Sequence, residues 1–198
     1  ILPELYRHKS YYMQDNQIHY LQKYRETLFN KLLSVAKDLH IIENNVLQTD
    51  DLLLKWKEIA PEYMMDAIPN IEKYPRTAIA WAAYVGIAFA TYWDKDWIAH
   101  KDDDNIYKSL VNARGFDEMD EYIVEELLGI DFSSSEAEKM ENNIKSLTEA
   151  ALSQIRREEV EPQSVMAFHV FAATVELMFI FGVGYQLHRL GYKYVKVN

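Results

Sequence analysis

Apolar residues recur at helical spacing over four long segments of this chain. From Ile18 to Ile42 they return every three, four or seven positions, and a second clean stripe runs from Ala137 to Ile155. This spacing places the apolar residues on one face of an α-helix. The first part of the segment Arg76 to His100, Thr77–Trp93, is apolar on every side, and so is most of Pro162 to Leu190, which is typical of helices enclosed by their neighbours. We therefore predict long helices at 16–43, 76–100, 134–159 and 162–190.

Capping and breaking residues predict short helices in the connections. Thr49 is a typical N-cap for a helix at 50–59, and the two prolines at 61 and 69 bound a second short helix. Glycines 115 and 129 end two further helices at 105–113 and 117–128. Asp15 or Asn16 is the expected cap of the first long helix. The pattern predicts an all-α fold, a single-domain bundle of four long helices over residues 1–198, with an N-terminal arm at 1–14 and a C-terminal tail or short edge strand at 191–198.

Small residues indicate where two of the long helices meet. The segment Thr77–Trp93 has no charged residue and alternates alanine and glycine with aromatic residues. We expect Ala83, Gly86 and Ala90 to pack against Phe171–Phe181, and the two glycines at 182 and 184 to permit a close crossing. Two apolar segments, Thr77–Trp93 with 17 residues and Val165–Gly184 with 20, approach the length of a membrane span. Because the second contains a mid-span glutamate, which is costly in lipid, a buried helix pair in a soluble bundle is the expectation.

Composition removes several functional classes. The chain has 198 residues and no Cys, which excludes disulfide scaffolds, thiolate catalysis and Cys-ligated metals. It carries 21 Lys and Arg against 31 Asp and Glu, a net charge of −10, and this charge disfavours nucleic acids and anionic membranes as partners. Residues 1–10 lack the apolar region of a signal peptide, and the cytoplasm is the expected compartment.

Glu176 is the most informative single residue, because its neighbours in sequence from 170 to 183 are uncharged. A carboxylate buried there would need a partner, a proton or a metal ion. His169 lies seven residues earlier on the same helical face. Glu176 and His169, with Trp81 and Tyr84 of the alanine-rich helix, form the predicted ligand-binding or buried polar site. The alternatives are a proton-handling or metal group and a plain structural tie to a Tyr, Trp or Arg.

Metal-binding patterns are sparse. No His has a Glu three positions before it, so the Glu-x-x-His pairs of ferritin-like di-iron bundles are absent from the sequence. Acidic residues precede a His by four positions at Glu4/His8, Asp15/His19 and Asp96/His100, a spacing typical of surface hydrogen bonds. The third of these pairs, next to further Asp residues, is the least ordinary.

Two acidic pairs support an alternative function. Asp117-Glu118-x-x-Glu121 lies on one predicted helix, and Glu138-x-x-Glu141 lies on the next. Facing carboxylates at this spacing can hold Mg²⁺ over a pyrophosphate. The arrangement is similar to Glu-Glu-x-x-Glu followed by Glu-x-x-Asp in all-α nucleotide pyrophosphohydrolases of the MazG type. The resemblance is confined to residues 117–141 and ends in Glu where that family has Asp. It implies an Mg²⁺-dependent hydrolase using Glu118, Glu121, Glu138 and Glu141.

The leading hypothesis is a soluble, non-enzymatic helical domain that needs no cofactor and binds a protein partner or a small apolar ligand. Five tyrosines lie in the first 24 residues, at positions 6, 11, 12, 20 and 24. Tyrosine is enriched at protein interfaces. The N-terminal arm is expected to pack either on its own bundle or on a second subunit, and the protein is expected to be a homo-oligomer, a homodimer in the simplest case, or to bind another protein.

Overall fold

The computed structural model describes residues 13–100 and 106–195, without the side chains at positions 96, 97, 99 and 100. Within these residues the chain forms seven α-helices and no strand, so the predicted all-α class is confirmed. The helices are α1 (Asp15–Asp38), α2 (Asp50–Ala67), α3 (Pro75–His100), α4 (Ile106–Arg114), α5 (Met119–Tyr122), α6 (Ser135–Ile155) and α7 (Val165–Arg189). A 3₁₀ turn at Ile68–Asn70 follows α2, and a π-helical turn at Ile123–Leu127 follows α5.

Helix α1 lies along both α6 and α7. Its Tyr20 hydroxyl donates to Glu158 beyond the end of α6, while Lys31 donates to Ser153 at 3.2 Å, so α1 and α6 run antiparallel. The same helix runs parallel to α7, because Tyr24 bonds to Thr174 at 2.7 Å and, further along both helices, the rings of Phe29 and Phe181 are 5.5 Å apart. The four long helices are compatible with the predicted bundle.

Helices α3 and α7 cross at backbone contact. A Cβ atom at Gly86 would overlap the carbonyl oxygen of Phe179 and lie 2.8 Å from the backbone nitrogen of Val183. A Cβ atom at Gly182 would overlap the carbonyl of Ala83 and lie 2.8 Å from its Cα. Since only glycine leaves room here, these two residues set the distance between the helices. The expected packing of the alanine-rich segment against the end of Phe171–Phe181 is confirmed.

Several helix boundaries differ from the expectation. Helix α6 ends at Ile155 and not at position 159, and α7 begins at Val165 and not at position 162. Helix α1 ends at Asp38, not at position 43, because His40 adopts a left-handed φ of 56° and the N–H of Ile41 donates to Ala36 at 3.0 Å. This is a Schellman ending without its usual glycine. Helix α1 also begins after Gln14, whose backbone N–H donates to the side chain of Gln17 at 3.0 Å, and not after the predicted Asp15 or Asn16.

The region after α1 contains one helix where two short ones were expected. Thr49 caps α2 as predicted, accepting from the N–H of Leu52 at 3.4 Å. The helix then continues through Pro61 to Ala67. Proline deletes one donor inside a helix, but Trp56, Ile59 and Tyr63 on both sides of it are buried. Packing of this apolar face against the core therefore outweighs the local breaking signal.

The C-terminal region supports part of the prediction. Helix α7 ends before Gly191, which has a φ of 88° and closes the helix through the bond from Tyr192 N–H to the carbonyl of Leu187 at 3.0 Å. Residues 192–195 form no helix or strand, and positions 196–198 lie outside the described residues, as do residues 1–12 of the predicted arm.

By length and composition alone α7 could cross a membrane, with a mean hydropathy of 1.9, although 56% of its most apolar window is buried.

Candidate functional site

Glu176 is paired and only partly buried. Its carboxylate lies 2.6 Å from the guanidinium of Arg25 on α1, and 25% of its side chain is exposed. The expectation of a deeply buried carboxylate is therefore wrong. The physical reason is the face on which Glu176 lies. His169 and Glu176 are each three or four residues from both Ala172 and Ala173, and all four residues are incompletely buried. Of the alternatives, the structure agrees with the tie to an Arg.

His169 does not share the partner of Glu176. Its ring lies edge-on to that of Phe168, with centroids 5.7 Å apart. Burial lowers the pKa of His169 below its ordinary value. A neutral imidazole next to an Arg25 that already has its counter-ion is suited to contact with apolar or hydrogen-bonding groups.

Trp81 and Tyr84 form a cluster on α3 that is separate from Glu176 and His169. Their rings meet edge to face with centroids 5.6 Å apart, and the indole N–H of Trp81 donates to the carbonyl of Phe116 at 2.6 Å. Burial, and then the charges of Asp120 and Glu141, raise the pKa of Tyr84. These neighbours belong to the α5 and α6 side of α3, whereas Glu176 and His169 neighbour α1. The structure thus divides the four predicted residues into two pairs with different neighbours.

The four glutamates of the hydrolase alternative do not converge. Glu118, Glu138 and Glu141 are exposed, while Glu121 lies 3.8 Å from Arg114. Arg114 also bonds Glu125 at 2.7 Å and Glu126 at 3.2 Å. Within the described residues, no three His, Asp or Glu side chains are grouped closely enough to hold a metal ion. This geometry gives the Mg²⁺ alternative no support. The side chains of Asp96 and His100 lie outside the described set, as does the Glu4/His8 pair, and Asp15 and His19 are exposed.

Asp120 is a perturbed carboxylate that the sequence did not single out. Burial raises the pKa of Asp120 to about 6, and the negative charges of Glu121 and Glu141 contribute to the rise. Hydrogen bonds from the backbone N–H groups of Glu121 and of Asp120 itself act in the opposite direction. It lies just before the π-helical turn Ile123–Leu127. Such turns are frequent near functional sites. The only sequence signal was its place among neighbouring acids, which did not distinguish it from Glu118 or Glu121.

Two open surface cavities lie beside the N-terminal halves of α1 and α7. One cavity of about 490 Å³ is lined by Asn16, Gln17, Tyr20, Glu159, Val160, Glu161, Ser164 and Met166. A second, of about 220 Å³, is lined by Met13, Ile18, Leu21, Gln22, Arg25, His169 and Ala173. We call these two cavities together the α1/α7 groove. Two large apolar side chains on these helices are well exposed, Ile18 at 42% and Val165 at 44%.

Fixed contacts border the groove. The Tyr20–Glu158 hydrogen bond holds α1 to the α6–α7 connection, and the Arg25–Glu176 ion pair holds α1 to α7. Both bonds join the first half of α1 to elements that are themselves packed on the core. Both cavities are therefore preformed; Glu159 and Glu161 make the larger one acidic, and the charge of Arg25 in the smaller one is neutralised by Glu176.

Comparison with protein-family models, with curated proteins and with solved structures found no match to this chain. Its function must therefore be inferred from the geometry of its own residues.

Proposed function

We propose that this chain is a non-enzymatic helical interaction domain that binds an apolar, basic segment of a protein partner in the α1/α7 groove. The observation that carries the proposal is the pair of cavities beside α1 and α7, the smaller of them lined by the well-exposed Ile18. Exposed apolar side chains grouped beside a concave surface are typical of protein-binding sites. A helix or extended segment placing apolar side chains in such a groove is a common recognition mode.

Charge defines the expected partner more closely. Glu159 and Glu161 line the larger cavity, and none of the Lys and Arg residues that the structure describes lines it. In the smaller cavity the charge of Arg25 is already balanced by Glu176. A partner segment that presents basic groups to the larger cavity and apolar side chains to the smaller one is complementary to both, and this complementarity would speed and orient the encounter.

The state of the candidate chemical groups also favours binding over catalysis. Glu176 and Glu121 each lie beside an Arg, and Trp81 donates its N–H to a backbone carbonyl. An acid or base needs access to a substrate proton. These groups act instead as ties between helices.

The test uses a fluorescein-labelled amphipathic peptide made of Leu and Lys, followed by fluorescence anisotropy. We expect it to bind the full chain, and to bind the Ala173→Glu variant about tenfold or more weakly, a loss of about 1.4 kcal/mol. Leu54→Glu is the matched control, because Leu54 is 54% exposed on α2, away from the residues that line the groove. Both variants add one negative charge, so general attraction for a basic peptide changes equally.

Two results would overturn the proposal. One is an affinity that is unchanged by Ala173→Glu, and the other is equal binding of a Leu and Glu peptide, which should be repelled by Glu159 and Glu161. Sedimentation velocity of the same samples tests whether the partner is a second copy of the chain, since self-association would then fall in Ala173→Glu and persist in Leu54→Glu.

A further inference from the structure

The chain itself contains a segment with the chemistry that the groove requires. Residues 1–12 read ILPELYRHKSYY, with aliphatic residues at positions 1, 2 and 5, and with Arg7 and Lys9 against a single acidic residue, Glu4. Met13, which follows directly, lines the smaller cavity. The chain therefore enters the described structure at the wall of the groove.

We propose that residues 1–12 bind in the α1/α7 groove of their own chain, in competition with an external partner. This inference rests on the proposed function of the groove and adds an internal competitor to it. The basic groups of Arg7 and Lys9 are complementary to Glu159 and Glu161 of the larger cavity. The aliphatic residues match the walls formed by Ile18 and Leu21 in the smaller one.

Length and attachment favour the chain's own segment over a free one. Twelve residues span at most about 40 Å, whereas α1 from Met13 to Arg25 covers about 18 Å at 1.5 Å per residue. The segment can therefore reach every residue of the groove. Direct attachment beside the binding surface gives a local concentration in the millimolar range, so even a weak contact would be well populated.

The first test measures competition in the full chain. With the Leu and Lys peptide as the probe, the double variant Arg7→Glu with Lys9→Glu should weaken the internal competitor and tighten probe binding about threefold or more. The control is Lys193→Glu with Lys196→Glu, which changes the net charge equally at the other end of the sequence. Equal tightening in both double variants would overturn the inference, since the effect would then be general charge attraction.

The second test measures location. Because the chain has no Cys, spin labels at Glu4→Cys and Arg157→Cys attach only there. Pulsed dipolar spectroscopy should give one narrow distance distribution that broadens in Ala173→Glu, or in Ile18→Glu at a more exposed wall position, and stays narrow in Leu54→Glu. A broad distribution in the parent contradicts the inference. A dipolar signal in a mixture of singly labelled chains would instead assign the segment to a second copy.

The two proposals fail separately. If the probe binds in a groove-dependent way but neither test detects residues 1–12, the groove remains a binding site and only the internal competitor is refuted. If the labels show a narrow distribution and the probe does not bind, even with Arg7→Glu and Lys9→Glu, the groove serves its own chain and the proposed function is refuted.

Discussion

Adding a single methyl group at the α3–α7 crossing should destabilise the fold. At both glycines the Cβ atom of any side chain would overlap a carbonyl group of the other helix. From Gly86 it would also lie 2.8 Å from the nitrogen of Val183, and from Gly182 it would lie 2.8 Å from the Cα of Ala83. Ordinary contacts of a Cβ atom begin at 3.4 Å. Backbone atoms of two packed helices cannot turn aside as a side-chain end can, so the helices must separate by at least several tenths of an ångström.

The magnitude follows from two opposed effects. Overpacking a well-packed core costs about 1–3 kcal/mol. Replacing glycine by alanine inside a helix returns up to about 1 kcal/mol through helix propensity. We expect Gly86→Ala and Gly182→Ala each to lower the free energy of unfolding by about 1–2 kcal/mol, which is about 2–8 °C in Tm for a chain of this size. Gly86→Leu, with a larger side chain at the same point, should cost more than either.

Gly184→Ala is the matched control in the same helix. Its Cβ would meet the side chain of Val46, at 2.7 Å from Cγ1, and not the backbone of another helix. A side chain can move more easily than a packed backbone, so Gly184→Ala should lower the free energy of unfolding by less than Gly86→Ala or Gly182→Ala does. The double variant of Gly86 and Gly182 should cost less than the sum of the single ones, because the helices need to separate only once.

Urea denaturation monitored by circular dichroism measures all five variants, and coincident near- and far-ultraviolet transitions check that unfolding is two-state. If Gly86→Ala and Gly182→Ala are as stable as the parent or more so, the close crossing does not exist in solution. If Gly184→Ala costs as much as Gly182→Ala, the loss does not come from backbone contact.

Three further predictions concern polar groups. Because the pKa of Asp120 is raised in the folded state to about 6, ionisation of its carboxyl destabilises the fold. The free energy of unfolding of the parent should therefore fall by up to about 3 kcal/mol as the pH rises from 4 to above 6. Asp120→Asn should abolish that loss in urea titrations and exposed Asp117→Asn should not. A double-mutant cycle on Arg25→Ala and Glu176→Ala should give a coupling of about 0.5–1 kcal/mol that weakens with salt, and zero coupling would contradict the ion pair. Tyr24→Phe should cost about 1–2 kcal/mol in the same assay by deleting a buried hydrogen bond, and an unchanged stability would refute it.

Helix positions were predictable because they depend on local signals. Periodicity located the long helices, and Gly191 ends the last one next to the predicted position 190. The caps Ser134 and Ser164 of α6 and α7 are local signals of the same kind, although Ser164 places the start of α7 three residues after the predicted one. The small residues of α3 and α7 also indicated the crossing correctly, since only a close approach of backbones requires them. The exceptions are places where packing outweighs a local signal, as at Pro61, or where His40 occupies a position that glycine usually fills.

The candidate site was less predictable, because it depends on which helix covers which face. Glu176 seemed central when judged by its neighbours along the chain. Judged by its neighbours on the helix, it continues a stripe of small and polar residues with His169 and Ala173, and that stripe indicated a partly open face. Asp120 could not be distinguished from other acidic residues in sequence, because its burial results from α5 packing against α3.

The two halves of α7 are suited to different tasks. From Phe179 to Gln186 its residues are nearly all buried, and its backbone touches α3 at Gly182. From Val165 to Glu176 one face is held mainly by bonds to α1, at Thr174 and Glu176, and leaves open the cavity that Ala173 lines. The C-terminal half therefore fixes the helix in place, while the N-terminal half presents a surface that can adjust its side chains without disturbing the crossing. The binding proposed for the α1/α7 groove therefore involves the end of α7 that lies away from the crossing, and substitutions there should alter binding before they alter folding.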